Sequence, residues 1–168
     1  MQTGHKAAAV NIGLAQAQRE EVARLLGRLL ADEFTLYTKT RNYHWNVVGP
    51  RFYALHTFLE EQYKMLDEFV DEVAERIRHL GGWAPGTMTE FLQQTGLKEE
   101  PGSYPDSQTM LANLLADHEA IINWLREQIQ TVGEKQGDEV TSNFLQDLAH
   151  RHEKMAWMLR AHLEGELA

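Results

Sequence analysis

No cysteine occurs in the 168 residues, which excludes disulfides, thiolate metal sites and cysteine nucleophiles together. Proline is scarce, with four copies in the whole chain. They are Pro50, Pro85, Pro101 and Pro105, so long segments on either side run free of helix breakers. No stretch of 18 apolar residues is present, and no membrane span is expected. The start, MQTGHKAAAV, lacks the basic patch and apolar core of an export signal, which makes the cytoplasm the expected location. Basic charge is also in deficit: 16 Lys and Arg stand against 25 Asp and Glu, a formal net charge of −9. Such a chain repels nucleic acid unless a local basic patch intervenes, and it is compatible with attracting cations.

What the chain does have is a core. Hydrophobic residues make up 43% of it, four of them tryptophans, enough for a single packed domain. A weakly patterned arm over residues 1–14 is expected to precede one helical domain over 15–168. Val22, Leu25, Leu26, Leu29, Leu30 and Phe34 recur at helical spacing and predict a first helix over 16–44. Leu30, Tyr37 and His44 continue that line at steps of seven. Gly49-Pro50 breaks it. A second helix to residue 80 carries Phe52, Leu55, Leu59, Leu66, Phe69, Val73, Ile77 and Leu80, and Gly81-Gly82 ends it.

Residues 83–106 hold three prolines and three glycines, with room for a short helix over 87–95. A third helix starts after Pro105, with Asp106 or Ser107 as N-cap. Its stripe is Leu111, Leu115, His118, Ile122, Leu125, Ile129 and Val132. After a turn over 133–137, a fourth helix spans 138–163 with Phe144, Leu148, Met155 and Leu159 inward. The expected fold is all-α: a ferritin-like four-helix bundle of two hairpins, with a short extra helix in the long connection between helices two and three.

Residues 44 to 75 hold the site. Antiparallel helices joined by a tight turn pair residues symmetrically about it, which sets His44 against His56 around Pro50. Asp71 and Glu75, four apart, share a helix face and can share a cation. His56 lies fifteen residues before Asp71, roughly 22 Å away at 1.5 Å per residue, too far for one metal within one chain. A two-fold partner removes the difficulty. If the second helix packs antiparallel on its own copy, crossing near Tyr63 and Lys64, residue i faces residue 127−i. His56 then faces Asp71 of the partner subunit, and one dimer gains two equivalent sites. Imidazole with carboxylate suits iron, zinc or manganese. The Glu-x-x-His pairs of an intrasubunit di-iron centre are missing, the nearest motif being Asp147-x-x-His150, which favours a site between subunits.

HWNVVGPRFYALH (44–56) followed by VDEVAERIRHLGGWAPGT (70–87) resembles the signature region of the Dps family, the mini-ferritins named as DNA-binding proteins from starved cells. The resemblance covers nearly the whole chain. It implies a homo-dodecameric shell built from two-fold dimers that oxidises Fe(II), characteristically with hydrogen peroxide, with oxygen as the alternative oxidant, and stores the ferric mineral. It implies iron ligation by His44 and His56, with Asp71 and Glu75 supplied by the neighbour. Glu60 matches an acid that binds a second iron or nucleates mineral, and Asp67 and Glu61 match an inner acidic surface more weakly. Trp45 matches a position associated with electron donation to trapped oxidants; packing at the dimer contact is the plainer reading. Iron-entry pores in the family are lined by acids near the start of the last helix. Asp138 fits one such position, but Asn143 stands where a second acid is common, and Asp147 one turn on is the candidate to compensate. Family members that bind DNA use a lysine-rich arm. Here the arm offers Lys6 and His5, so DNA is an alternative partner that charge does not favour.

A second histidine pair arises the same way. The turn near Lys135 sets His118 opposite His152, with Asp117, Glu119 and Glu153 alongside. A hydrogen-bonded core pair is expected there in preference to a second metal site.

Overall fold

The computed structural model describes residues 10–164. Helix α1 (Gln16–Asn46) and α2 (Phe52–His79) form one hairpin; α3 (Met88–Gln94) lies in the connection; α4 (Ser107–Gln130) and α5 (Glu139–Glu164) form the second hairpin. α1 touches α2, α3 and α4, so the two hairpins close into one bundle. All of this matches the expected architecture, the short helix in the connection included. Among the described residues no helix is long and apolar enough to cross a membrane.

Each boundary has a local cause. α2 stops in a Schellman turn: Gly82 N–H donates to the Ile77 carbonyl at 3.1 Å and Gly81 N–H to that of Arg78 at 3.0 Å. Gly81 holds φ +85°, and a Cβ there would come within 2.8 Å of Val10, so position 81 requires glycine twice over. Val10, the first described residue of the expected arm, thus sits directly over this turn. Thr87 and Glu90 cap α3 reciprocally: Thr87 Oγ1 accepts the Glu90 N–H, and Glu90 Oε2 accepts the Thr87 N–H at 3.0 Å. Asp106, of the two candidates, caps α4 by accepting the Thr109 N–H at 2.9 Å. The connection is moored to α1 by Asp32, buried, whose Oδ1 accepts from Thr95 Oγ1 (2.8 Å) and the Gly96 N–H (2.6 Å). Phe91 stacks on Phe34 at 4.5 Å beside it.

The core is an aliphatic column, with Val22, Leu29, Leu36, Leu66, Val73, Leu125, Leu148 and Leu159 fully buried. Three details depart from the expected faces. In α4 the fully buried line is Leu111, Leu114, His118, Ile121 and Leu125, while Leu115, Ile122 and Ile129 are half-buried. The apolar stripe is wider than one row, and the bundle buries its middle. In α5 Leu145 replaces Phe144 as the buried residue, and Phe52 on α2 is 44% exposed. A five-residue π-turn, Thr131–Lys135, carries α4 into the last connection in place of a plain turn.

Candidate metal centre

His44 lies in the last turn of α1, and His56 lies one turn into α2. Their rings stack at 3.8 Å with 19° between planes. His44 Nδ1 is 2.8 Å from the His56 carbonyl oxygen, and His56 Nδ1 is 2.9 Å from the His44 carbonyl oxygen. A carbonyl only accepts, so both Nδ1 atoms must carry the proton. In the neutral rings both Nε2 atoms are therefore lone-pair donors, as metal ligation requires. The clamp also serves the helix. The His44 carbonyl belongs to the last turn of α1, where no further helical N–H exists, and His56 supplies the missing donor. Phe52 closes one face of His56 at 5.1 Å, and Tyr63 meets His44 edge-on at 5.2 Å.

Glu60 stands one turn beyond His56 on α2. Its carboxylate accepts from Lys64 Nζ at 2.6 Å. That hydrogen bond and the ammonium charge hold its carboxyl below the usual carboxylate range, and the His44 and His56 rings are near enough to add to the effect. One chain thus stacks His44 on His56, with Glu60 one turn on along α2 and paired to Lys64. It does not bring Asp71 or Glu75 to them. Both acids are exposed farther along α2, as are Asp67 and Glu61. Among the described residues, no group of three or more His, Asp or Glu side chains forms a metal-binding cluster in the single chain. Trp45 is 63% exposed, with the Arg41 guanidinium 5.2 Å from its ring centre. Arg41 also lies over Tyr63 at 5.0 Å, so the ring beside His44 and the exposed indole share one cation.

The second pair is assembled differently. His118 Nδ1 and His152 Nδ1 are 2.9 Å apart, and His152 Nε2 is 2.8 Å from Glu33 Oε1. All three side chains are sealed in the core, and Glu33 Oε2 is buried without a partner. The structure bears out a hydrogen-bonded core pair. Glu33 was not singled out in the sequence. Its signal is an acid three and four residues after Leu30 and Leu29, inside the apolar stripe of α1.

Of the pore candidates, Asp138 is buried and occupied: Oδ1 accepts the Thr141 N–H at 3.0 Å, capping α5, and Arg76 Nη2 lies 3.4 Å away. Asp147 and Asn143 are exposed one turn apart, Asp147 2.9 Å from Arg151 Nε. Lys6 and His5 lie outside the described residues.

Residues 23–167 match the sequence model of the ferritin-like domain. An uncharacterized low temperature-induced protein of Nostoc sp. is 46% identical over 157 residues, covering 94% of this chain and 88% of the relative. The DNA protection during starvation protein 2 of Bacillus anthracis is 35% identical, covering 86% of this chain and 97% of its own. Among solved structures, DpsC from Streptomyces coelicolor superposes with a TM-score of 0.89 at 29% identity, over 93% of this chain and 91% of that one. The Dps protein of Vibrio cholerae gives 0.86 at 33% identity, over 94% and 99%. The chain belongs to the Dps family of ferritin-like proteins, the mini-ferritins that oxidise Fe(II) and store the ferric product.

Proposed function

We propose that this protein oxidises Fe(II) at sites shared between two subunits, each site taking His44, His56 and Glu60 from one chain and Asp71 and Glu75 from its two-fold partner. The observation that carries this reading is the reciprocal clamp. Each histidine spends its Nδ1 proton on the other's backbone, which leaves two Nε2 lone pairs, with Glu60 one turn on along α2 and, among the described residues, no complete cluster of metal ligands in the single chain. A half-site of that kind is chemically useful only when another copy completes it. The antiparallel crossing of α2 near Tyr63 and Lys64 supplies the missing carboxylates in one register.

In this reading Fe(II) is substrate and the protein is the holder. The imidazoles and carboxylates bind it with positions left for water and oxidant. Two Fe(II) each give one electron to one hydrogen peroxide, which takes up two protons and leaves as two waters. Pairing the electrons in this way limits hydroxyl-radical formation. Trp45, exposed next to His44, is positioned to reduce an oxidant that escapes the pairing. The ferric product collects inside a homo-dodecameric shell. Nothing observed favours a nucleoid role over this one.

The test is stopped-flow absorbance of Fe(II) oxidation, with peroxide and then with air, on a preparation sized by light scattering. A particle of about twelve chains that oxidises near two Fe(II) per peroxide, faster than with air, is the expected result. A rate no higher than the protein-free control overturns the proposal and leaves the fold intact.

A further inference from the structure

Tyr37, Arg41 and Trp45 follow one another at steps of four on α1 and so share one face of it. Arg41 sits in the middle of that column. Its guanidinium donates to the Tyr37 hydroxyl and lies over three rings: Tyr37 at 5.5 Å, Trp45 at 5.2 Å and, across the hairpin, Tyr63 of α2 at 5.0 Å. Arg41 Nε is buried without a hydrogen-bond partner, so the rings cradle the charge. The Tyr37 hydrogen bond, first, and Asp67, last, favour its charged form, and the guanidinium is a permanent cation. Tyr63 in turn meets His44 edge-on at 5.2 Å. One cation thus covers the ring against a proposed ligand and the indole next to that ligand in sequence. We infer that Arg41 raises the strength of oxidant needed to take an electron from Trp45, so that paired oxidation of Fe(II) spares the indole while a stray radical is still quenched. This deepens the proposed role of Trp45 as donor to an oxidant that escapes the pairing, and it rests on that reading.

The physical reason is a change of sign. A neutral ring turns its negative face to the guanidinium and attracts it. Loss of one electron leaves a positive ring, and attraction becomes repulsion between two unit charges. The indole is therefore harder to oxidise with Arg41 in place. At 5.2 Å that repulsion is a factor of about four at the dielectric of water and grows as water is excluded, so about ten-fold is expected. A second copy packed over Trp45 excludes water and enlarges the effect. The quenching step balances. One Fe(II) left unpaired gives one electron to hydrogen peroxide, yielding hydroxide and a hydroxyl radical. The indole gives one electron to that radical, and its N–H proton turns the resulting hydroxide into water. A hydroxyl radical is a far stronger oxidant than hydrogen peroxide, so the handicap on the ring does not stop it. Trp157 on α5 supplies the contrast, since among the described residues no cation lies over its ring.

The experiment measures oxygen addition to the tryptophan peptides of the assembled protein by mass spectrometry, with Trp157 as internal standard. Two oxidants are compared: hydrogen peroxide with paired Fe(II), and hydroxyl radicals made by pulse radiolysis. The variants are Arg41→Gln, Arg41→Lys and Trp45→Phe, with the Fe(II) oxidation rate and spin-trapped radicals followed in each. Under iron and peroxide, Arg41→Gln should raise Trp45 oxidation about ten-fold per peroxide consumed, with the Fe(II) rate unchanged. Arg41→Lys, which keeps the charge, should stay within about two-fold of the parent. Under radiolysis the parent and both Arg41 variants should oxidise Trp45 alike. A rise shared by Arg41→Lys is lost packing rather than lost charge, and an equal rise under radiolysis is greater access; either overturns the proposal. Trp45→Phe tests the underlying reading separately. If it lets more radicals escape while Arg41→Gln leaves Trp45 oxidation at the parental level, the donor stands and the role of Arg41 falls. If Trp45→Phe leaves radical escape unchanged, Trp45 is no donor, and the assignment of Arg41 falls with it.

Discussion

Two histidine pairs in this bundle arise from one rule and end in opposite situations. Both are placed by a hairpin: His44 against His56 about Pro50, His118 against His152 about the α4–α5 turn. At the tip of the first hairpin the rings stack, and each Nδ1 is anchored to a backbone carbonyl. The Nε2 atoms are left over. In the middle of the second hairpin the rings meet nitrogen to nitrogen, and the far side of His152 is spent on Glu33. There the polar atoms consume one another inside the core. Proximity of two imidazoles is thus not the signal of a ligand site. What separates the pairs is where the unspent ring nitrogen is, and whether anything from outside can reach it.

The largest effect comes from breaking the first pair. His44→Ala with His56→Ala should reduce peroxide-driven Fe(II) oxidation by about 100-fold or more, since loss of even a supporting partner of a metal ligand costs 10–100-fold. Circular dichroism and light scattering should show the helices and the particle retained. Oxidation at the parental rate in that variant would remove these residues from the chemistry. Breaking the second pair should do the reverse. His152→Ala strips Glu33 of its hydrogen bond and leaves a carboxylate alone in the core, which costs about 3–5 kcal/mol. For a chain of this size the thermal midpoint falls by about 10 °C. Oxidation per folded particle should stay within about two-fold. A His152→Ala protein that keeps its midpoint but loses oxidation would mean the core pair belongs to the active machinery after all.

Most of the fold was legible because the chain punctuates itself. Apolar residues at steps of three and four, Gly49-Pro50, Gly81-Gly82 and Pro105 mark four helices, and hairpin symmetry then finds both histidine pairs. Three features were not legible, each for a physical reason. Glu33 joins a pair formed by α4 and α5 from a helix in the other hairpin, and that register depends on how the long connection packs. The α4 stripe is wide enough that spacing alone admits either Leu114 and Ile121 or Leu115 and Ile122 as its centre. Asp138 reads as a free acid at a helix start, yet the cap it forms and the approach of Arg76 are what bury it. The completing carboxylates are a different matter. Asp71 and Glu75 are readable as an i, i+4 pair, but the role proposed for them requires a second chain, and that lies beyond any single-chain geometry.

The smallest effect sharpens the contrast through pH. Burial first, and the neighbouring His152 second, hold His118 well below the ordinary imidazole range. The groups around it are His152 from α5 and, through His152, Glu33 from α1; Phe69 of α2 packs on His152 at 5.1 Å. Asp117, the acid preceding it on α4, is turned to Lys39 at 2.6 Å. In the unfolded chain His118 takes a proton near pH 6.5, while the folded chain refuses it. Above that pH neither state is charged, and nothing is at stake. As pH falls below about 6.5 the unfolded state gains, and stability drops by up to about 1.4 kcal/mol per pH unit for the one group. His118→Asn preserves an amide N–H for His152 Nδ1 but does not titrate. Between pH 7 and 5.5 the parent should lose about 1 kcal/mol more than this variant, or about 3 °C of midpoint. His162, half-buried and also lowered by burial with Arg51 nearby, titrates in both proteins and cancels in the difference. Parallel midpoint curves for parent and variant would mean that acid reaches His118 in the folded state. The core pair would then be as open as the pair at the hairpin tip, and the distinction between them would rest on the carbonyl clamp alone.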